Sequence, residues 1–359
     1  MNGRRINFLP YIKWKLLISI SFILFHNCTH QNLNSDVLND LYLKQTYNIT
    51  KDSIIRMNKA YRLFSNVNSS VYINDAKYLF KASNLTTLDI FSTKGECVDY
   101  IELTNCNANV PLSWPIKVYN DSMYVWCENH SIIQVFDNNL SKVNEIYCPK
   151  TKRLRDLIIY EDLIVFYNKS NSEYLVSLYD RSSENYIFET AKPTKEHQVL
   201  EQSVYAGGMT LCENSLFYCR ADCLNLYMIN LDSFEEGVIE ISALEFKVSN
   251  YPVKNMDSQI DFTQAYKFKA TNSNVVELFL VKNELMIISE VGTYSFKNPS
   301  GEIFYDNRYF LFLSYDFEKG IKKSLLKISD PMQSSDFVSF LTNGSDLFSI
   351  SPTISANND

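Results

Sequence analysis

The feature that most restricts the fold of this chain is a recurring unit of short apolar strands joined by polar turns. Each unit has an apolar stretch, a polar turn of two or three residues, a strand rich in Tyr, Phe, Val and Leu, a polar loop and a further strand. Clear copies begin at Val71, Lys117, Ile158 and Leu211, weaker copies at Leu280 and Ile303, and a partial copy at Phe340. Repeats of this kind are typical of solenoids, propellers and related arrays.

The polar turns and their spacing narrow the architecture. The turn residues are Asn74–Asp75, Asn120–Asp121, Glu161–Asp162, Glu213–Asn214, Lys282–Asn283 and Asp306–Asn307. Asn and Asp tolerate positive φ and bond to their own backbone, as a tight hairpin requires. The intervals from Asp75 to Asp121, then to Asp162 and then to Asn214, are 46, 41 and 52 residues, close to the length of a four-stranded propeller blade. The sequence therefore predicts an all-β fold, a β-propeller of four-stranded antiparallel sheets with six blades, or seven as the alternative.

A ring of sheets has to close, because unpaired ends would expose sheet edges. We expect a strand within residues 43–49 to pair with the C-terminal segment 340–351, which places a single propeller domain at residues 41–355. The chain has 46% apolar residues, 24 Tyr and 23 Phe but 9 Gly. This composition is sufficient for a large core and favours aromatic side chains in extended, half-buried positions.

The N-terminus has the order of charges expected of an export signal. Arg4 and Arg5 precede an apolar run at residues 16–25, and Cys28 follows shortly afterwards. The run spans roughly 15 Å as a helix, about half of a bilayer core, so it is too short for a good membrane span. A cysteine directly after such a run predicts a lipoprotein signal at 1–27, with Cys28 as the lipid anchor and residues 28–40 as a tether.

Two other fates of the N-terminus remain open. Phe25, His26 and Asn27 stand where a lipoprotein signal usually has Leu and two small residues. An uncleaved anchor or ordinary secretion are therefore the alternatives to acylation of Cys28.

The chain resembles a known group of envelope proteins. The signal ending at Cys28 and the segments NHSIIQVFDNNLSKV and ASNLTTLDIFSTKGECV are similar to the six-bladed, TolB-like β-propeller lipoproteins of Bacteroidota. The resemblance covers residues 40–350 in pattern, but the Gly-rich segment that many relatives carry after an early blade has no match here. It implies a propeller in the bacterial cell envelope, held at the outer membrane by palmitate-type acyl chains, and it implies no defined activity.

Charge and motifs exclude several classes of function. The formal net charge is −7, which argues against nucleic acid as a partner, since binding it needs a basic face. The sequence has neither a G-x-S-x-G elbow nor a phosphate-binding Gly loop. Outside the signal the histidines are His30, His130 and His197, with His197 expected in a loop that carries Lys and Glu. We therefore assign no catalytic residue and expect no cofactor.

Three cysteines fall within a dozen residues, in the segment LCENSLFYCRADC. The repeat places Cys212 and Cys219 at the ends of successive strands and Cys223 at the start of the next, with Cys127 at the position equivalent to Cys219. This regularity favours strand positions over a metal site, which needs four closely spaced ligands, so no metal is expected. An exported chain can form disulfides. The possible pairs are Cys219 with Cys223 and Cys97 with Cys106, and buried free thiols are the alternative.

These observations predict a non-enzymatic envelope lipoprotein that touches the membrane through its lipid and binds an unknown protein or glycan ligand with its loop faces. The alternative is a propeller hydrolase or lyase acting on a glycan or peptide, which would need acid and base groups to converge between blades. A scaffold within a larger envelope complex is a third possibility. Fold alone does not choose among them.

Overall fold

The computed structural model describes residues 69–73, 76–82, 87–92, 97–103, 115–151, 153–169, 171–201, 207–251, 265, 268–269, 271–297, 302–328, 339–342 and 347–350. All of them belong to one compact unit, Leu43–Asp359. The predicted strand near residues 43–49, the signal and Cys28 lie outside this description.

The described chain folds into antiparallel sheets in which consecutive strands are neighbours. Sheet 1 contains β1 (Ser69–Ile73), β2 (Ala76–Ala82), β3 (Thr87–Ser92) and β4 (Cys97–Glu102). Sheet 2 contains β5 (Ile116–Tyr119), β6 (Ser122–Cys127), β7 (Ile132–Phe136) and β8 (Lys142–Tyr147). Sheet 3 contains β9 (Leu154–Tyr160), β10 (Leu163–Asn168), β11 (Val176–Asp180) and β12 (Asn185–Thr190).

A short helix, α1 (Lys195–Glu201), follows sheet 3. Sheet 4 contains β13 (Gly208–Cys212), β14 (Ser215–Cys219), β15 (Leu226–Asn230) and β16 (Glu236–Ile239). Sheet 5 contains β17 (Asn274–Val281), β18 (Glu284–Lys297), β19 (Glu302–Asp316) and β20 (Gly320–Ile328). A two-stranded hairpin of β21 (Ser339–Thr342) and β22 (Leu347–Ile350) comes last.

The first strands of these sheets form a closed ring. Each of β1, β5, β9, β13, β17 and β21 lies beside the next, and β21 lies beside β1. Neighbouring sheets therefore radiate from a common axis, as in a propeller. The predicted β-propeller is confirmed, and the described strands supply five four-stranded sheets and one two-stranded hairpin to the ring.

Burial along the strands follows from this arrangement. The second strands β6, β10 and β14 are buried on both faces, as in β10, where five of six residues are buried, because each lies between two neighbouring sheets. The fourth strands form the outer edge and alternate or are exposed, as in β8 and β12. Separate apolar clusters fill the interfaces between consecutive sheets, for example Tyr124, Trp126 and Ile133 of sheet 2 against Leu157 and Phe166 of sheet 3. Continuous apolar runs in the second strands are thus required by the fold.

Four of the six predicted hairpin turns occur among the described residues, one does not, and Asn74–Asp75 lies outside the description. Asn120, Glu161, Glu213 and Lys282 each follow a first strand and have φ between 46° and 54°. The expectation of a turn at Asp306–Asn307 is wrong, because both residues lie inside the 15-residue strand β19. The copies that begin at Leu280 and Ile303 are therefore parts of one blade, sheet 5, whose second and third strands are unusually long.

Candidate functional site

The two faces of the propeller differ in the length of their connections. Successive strands of a blade run in opposite directions, so the turns after first and third strands lie on one face and the other connections lie on the opposite face. We call the first the tight-turn face; there Asn214 donates to Asp232 over 2.7 Å and links two such turns of sheet 4. The second, the long-loop face, carries α1 and the described parts of the connection between β16 and β17, residues 240–251, 265, 268–269 and 271–273.

Four charged side chains meet where first strands begin at the long-loop face. Nζ of Lys117, on β5, donates to Oδ2 of Asp156, on β9, over 2.9 Å. Nη2 of Arg155, also on β9, donates to Oε2 of Glu277, on β17, over 2.8 Å and to the carbonyl of Val276 over 3.3 Å. Adjacent strand residues point to opposite faces, so Asp156 pairs with the preceding blade and Arg155 with a later one. We call Lys117, Arg155, Asp156 and Glu277 the channel-end cluster.

Gly208 explains how Arg155 reaches sheet 5 past the first strand of sheet 4. A Cβ atom at Gly208 would lie 2.6 Å from Oε1 of Glu277 and 2.7 Å from the backbone nitrogen of Leu278. Neither distance is compatible with a side chain. The absence of a side chain at the start of β13 therefore leaves room for the carboxylate that Arg155 binds.

The environment of Glu277 couples the cluster electrostatically. Burial raises the pKa of Glu277, while Arg155 and Lys117 act to lower it and Asp156 adds to the increase. The side chain of Arg155 is 9% exposed and that of Glu277 is 21% exposed, so this ion pair is more enclosed than the pair between Lys117 and Asp156. Perturbed carboxylates in clefts are candidates for function, although structural ion pairs perturb pKa values in the same direction.

The channel-end cluster is not apparent from the repeat pattern or from any motif in the sequence. One local signal was present, because Arg155 and Asp156 interrupt the otherwise apolar strand LRDLIIY. Charges inside a strand that is buried on both faces need partners. Their partners lie 39 and 122 residues away in the chain, and sequence spacing does not show this convergence.

The histidines lie at different depths. His130 is exposed in a single turn of 3-10 helix between β6 and β7, and His30 lies outside the described residues. His197 is fully buried on α1, so the expectation that it lies in a loop is wrong. Trp126 is fully buried in the core.

Cys127, Cys212 and Cys219 each end a strand, as the repeat predicts. Cys223 lies in the β14–β15 turn, three residues before β15 begins. The thiols of Cys219 and Cys223 are free, so the suggested pairing between them is absent from this structure. The Cys219 Sγ atom points to the carbonyl of Gly208, at 3.7 Å, whereas the Cys223 Sγ atom contacts Arg220 and Tyr227.

Cys127 is disulfide-bonded. The side chains of Cys97 and Cys106 lie outside the described residues, so their suggested pairing stays a prediction. Burial raises the pKa of Cys148 to about 12 and that of Cys219 well above its usual value, which makes both thiols poor nucleophiles.

The described residues contain no group of three or more His, Cys, Asp or Glu residues placed to hold a metal ion. None of the described helices has the length and apolar content needed to cross a membrane.

Comparison with known proteins identifies the fold. No protein-family model matches the chain, and no curated protein matches it. A member of the DUF4221 family from Bacteroides vulgatus is similar in structure, with a TM-score of 0.57, 11% identity, and coverage of 82% of this chain and 89% of that one. At this identity the similarity shows a common fold.

Two further solved structures are more distant. A Bacteroides fragilis protein thought to be exported has a TM-score of 0.49, 13% identity and 79% coverage of each chain. The β-propeller domain of Cps50 (Swd1) from Myceliophteria thermophila has a TM-score of 0.41 and 7% identity, and the match covers 77% of this chain and 90% of that one.

Proposed function

We propose that this β-propeller is a lipid-anchored, non-enzymatic protein of the bacterial cell envelope that binds a ligand or a protein partner through its long-loop face. The observation that carries the proposal is the asymmetry of the two faces. The charged cluster at the channel end, helix α1 and the described parts of the β16–β17 connection all belong to one face of the ring of sheets. Loops on such a frame are the usual location of binding residues.

The state of the charges favours binding over catalysis. Asp156 and Glu277 each accept a hydrogen bond from a basic side chain at 2.9 or 2.8 Å. A general acid or base must lie within hydrogen-bonding distance of the substrate group that gains or loses the proton. A carboxylate whose oxygen already accepts from a basic side chain is not free to do so. Paired charges of both signs at the mouth of a channel instead suit recognition of a polar surface, such as a glycan or the loop of another protein.

The binding face can be tested by site-specific photocrosslinking in the native envelope. A photoreactive amino acid placed at His130, which is exposed on the long-loop face, is expected to give a discrete adduct of higher mass. The matched control places the same group at Glu213, which is exposed on the tight-turn face. Equal adducts at both positions, or an adduct at position 213 alone, would remove the support for the long-loop face.

The anchor can be tested by the intact mass of protein extracted from membranes. We expect a mature chain that begins at Cys28 and carries the added mass of diacylglycerol and an acyl chain. A Cys28→Ala variant should lack this mass and leave the membrane fraction, because two or more acyl chains are needed for stable anchoring. A chain that is cut elsewhere and carries no lipid would contradict the anchor and leave the photocrosslinking result unaffected.

A further inference from the structure

His197 is buried with its ring in a defined tautomer. Its Nδ1 atom accepts a hydrogen bond from the backbone N–H of Ala221 over 2.9 Å. An imidazole nitrogen that accepts cannot carry a proton, so the neutral ring has its proton on Nε2. The Nε2 atom is also buried and has no hydrogen-bond partner. His197 is therefore held in place as an acceptor by one bond from the β14–β15 turn.

This bond begins a chain of hydrogen bonds across the long-loop face. The carbonyl of Ala221 accepts from the N–H of Val275 over 2.9 Å, and the carbonyl of Val275 accepts from the N–H of Gly207 over 2.8 Å. The chain connects α1, the β14–β15 turn, the first strand of sheet 5 and the residue preceding β13. It thus links the helix to two neighbouring blades.

Two more contacts hold α1 at this place. The Thr194 hydroxyl donates to Oδ2 of Asp222 over 2.6 Å, and the N–H of Tyr251 donates to Oε1 of Glu196 over 2.8 Å. In both contacts a carboxylate oxygen is the acceptor. His197 is different, because protonation converts its accepting nitrogen into a donor.

The ionisable groups around His197 come from three elements. The β14–β15 turn contributes Asp222, whose charge favours the protonated ring, and Arg220, whose charge opposes it. Its own helix carries Lys195, Glu196 and Glu201. Among the described residues of the segment after β16, Tyr251, Ala265 and Phe268 belong to the same apolar cluster as Val199 and Leu200 of the helix. Burial is the largest influence and lowers the pKa of His197 to about 4.

We propose that His197 is an acid-sensitive latch, and that its protonation releases α1 from the β14–β15 turn and opens the long-loop face. In the imidazolium, Nδ1 carries a proton, so two N–H donors, that of Nδ1 and that of Ala221, would face each other at the 2.9 Å distance of the present hydrogen bond. Neither could accept from the other. The ring has to leave this position, and the chain of bonds through Val275 then loses its first member. The latch does not depend on which ligand the face binds.

The sign and size of the effect follow from linkage. The closed state binds the proton less tightly than an open state in which the ring is hydrated, so acid favours opening. With a pKa of about 4 in the closed state and about 6.5 in the open state, the opening equilibrium should rise about twenty-fold between pH 7 and pH 5.

Hydrogen–deuterium exchange of the mature protein tests the latch. Peptides that cover residues 195–201 and 220–225 are compared at pH 7 and pH 5, each normalised to the intrinsic exchange rate at that pH. We expect about a twenty-fold increase in opening in the wild type. The control is His197→Asn, whose side-chain oxygen can still accept from Ala221 but does not titrate, and whose exchange should change less than about two-fold.

Two further variants keep the test decisive if His197→Asn fails to fold. Asp222→Asn removes the charge that favours the imidazolium in the closed state, so the closed-state pKa of His197 falls and the rise in opening on acidification from pH 7 to pH 4 should increase. Arg220→Met removes the opposing charge, so the closed-state pKa of His197 rises and that rise in opening should become smaller. A general loss of stability would increase opening at both pH values and leave its rise on acidification the same in both variants. That result, or an unchanged pH dependence in His197→Asn, would overturn the latch.

Discussion

Replacing Arg155 with methionine is expected to destabilise the protein by on the order of 3 kcal/mol at pH 7, because it leaves the enclosed carboxylate of Glu277 without its partner. The penalty should depend on pH in a defined direction. Without Arg155, the pKa of Glu277 rises further above the value of an unfolded chain. Below the unfolded-state pKa of about 4.3, Glu277 is protonated in both the folded and the unfolded chain and does not change the free energy of unfolding. As the pH rises from there through the folded-state pKa, the free energy of unfolding decreases. The variant should therefore lose less stability, relative to wild type, at pH 4.5 than at pH 7.

Urea unfolding of wild type and variant at both pH values measures this difference, and the effect of His197 cancels because both proteins contain it. The double variant Arg155→Met with Glu277→Gln is the matched control, since a neutral amide needs no counter-charge and should restore part of the loss. An equal loss at both pH values, with no recovery in the double variant, would show that Arg155 stabilises the fold through packing of its stem.

The propeller itself was readable from local signals. Asn120–Asp121, Glu161–Asp162 and Glu213–Asn214 are turns where the repeat places them, because a two-residue hairpin needs residues that tolerate positive φ and the flanking strands were apolar. The same rule failed at Asp306–Asn307. There the ladder between β18 and β19 continues without a turn, and a register shift occurs near Thr293 and Asn307. These two residues are in a strand because β19 pairs with β18 along this whole stretch. A turn-forming sequence does not show how far such pairing extends.

The candidate site was much less predictable. The Arg155–Glu277 bond joins blades that are separated by a whole sheet, and its formation depends on the missing side chain at Gly208. His197 lies in a segment with Lys and Glu, which favoured a loop. It is buried because Tyr251 and Phe268, from a distant connection, pack on Val199 and Leu200 of the same helix. Contacts between residues so far apart in the chain form only when the ring of sheets closes, and the periodicity of the sequence does not show which residues that closure brings together.

The largest loss of stability is expected from Trp126→Ala. Trp126 is the largest of the fully buried side chains described, and it packs between sheets 2 and 3 with its ring centroid 5.9 Å from that of Phe166. Removing it leaves a cavity that two rigid sheets cannot fill, at a cost of about 3–5 kcal/mol. Urea or thermal unfolding followed by circular dichroism would measure the change without relying on tryptophan fluorescence.

Trp126→Phe separates the contribution of volume from that of polarity. The Nε1 atom of Trp126 is buried and has no hydrogen-bond partner, so its loss removes no bond and relieves the cost of burying a polar group. The smaller ring should cost about 1–2 kcal/mol through lost packing, well below the alanine variant. If phenylalanine cost as much as alanine, Nε1 would have a bonding role that this packing does not reveal. If alanine cost less than about 1 kcal/mol, sheets 2 and 3 would have to move together, and the blades would be less rigid than a frame for binding loops requires.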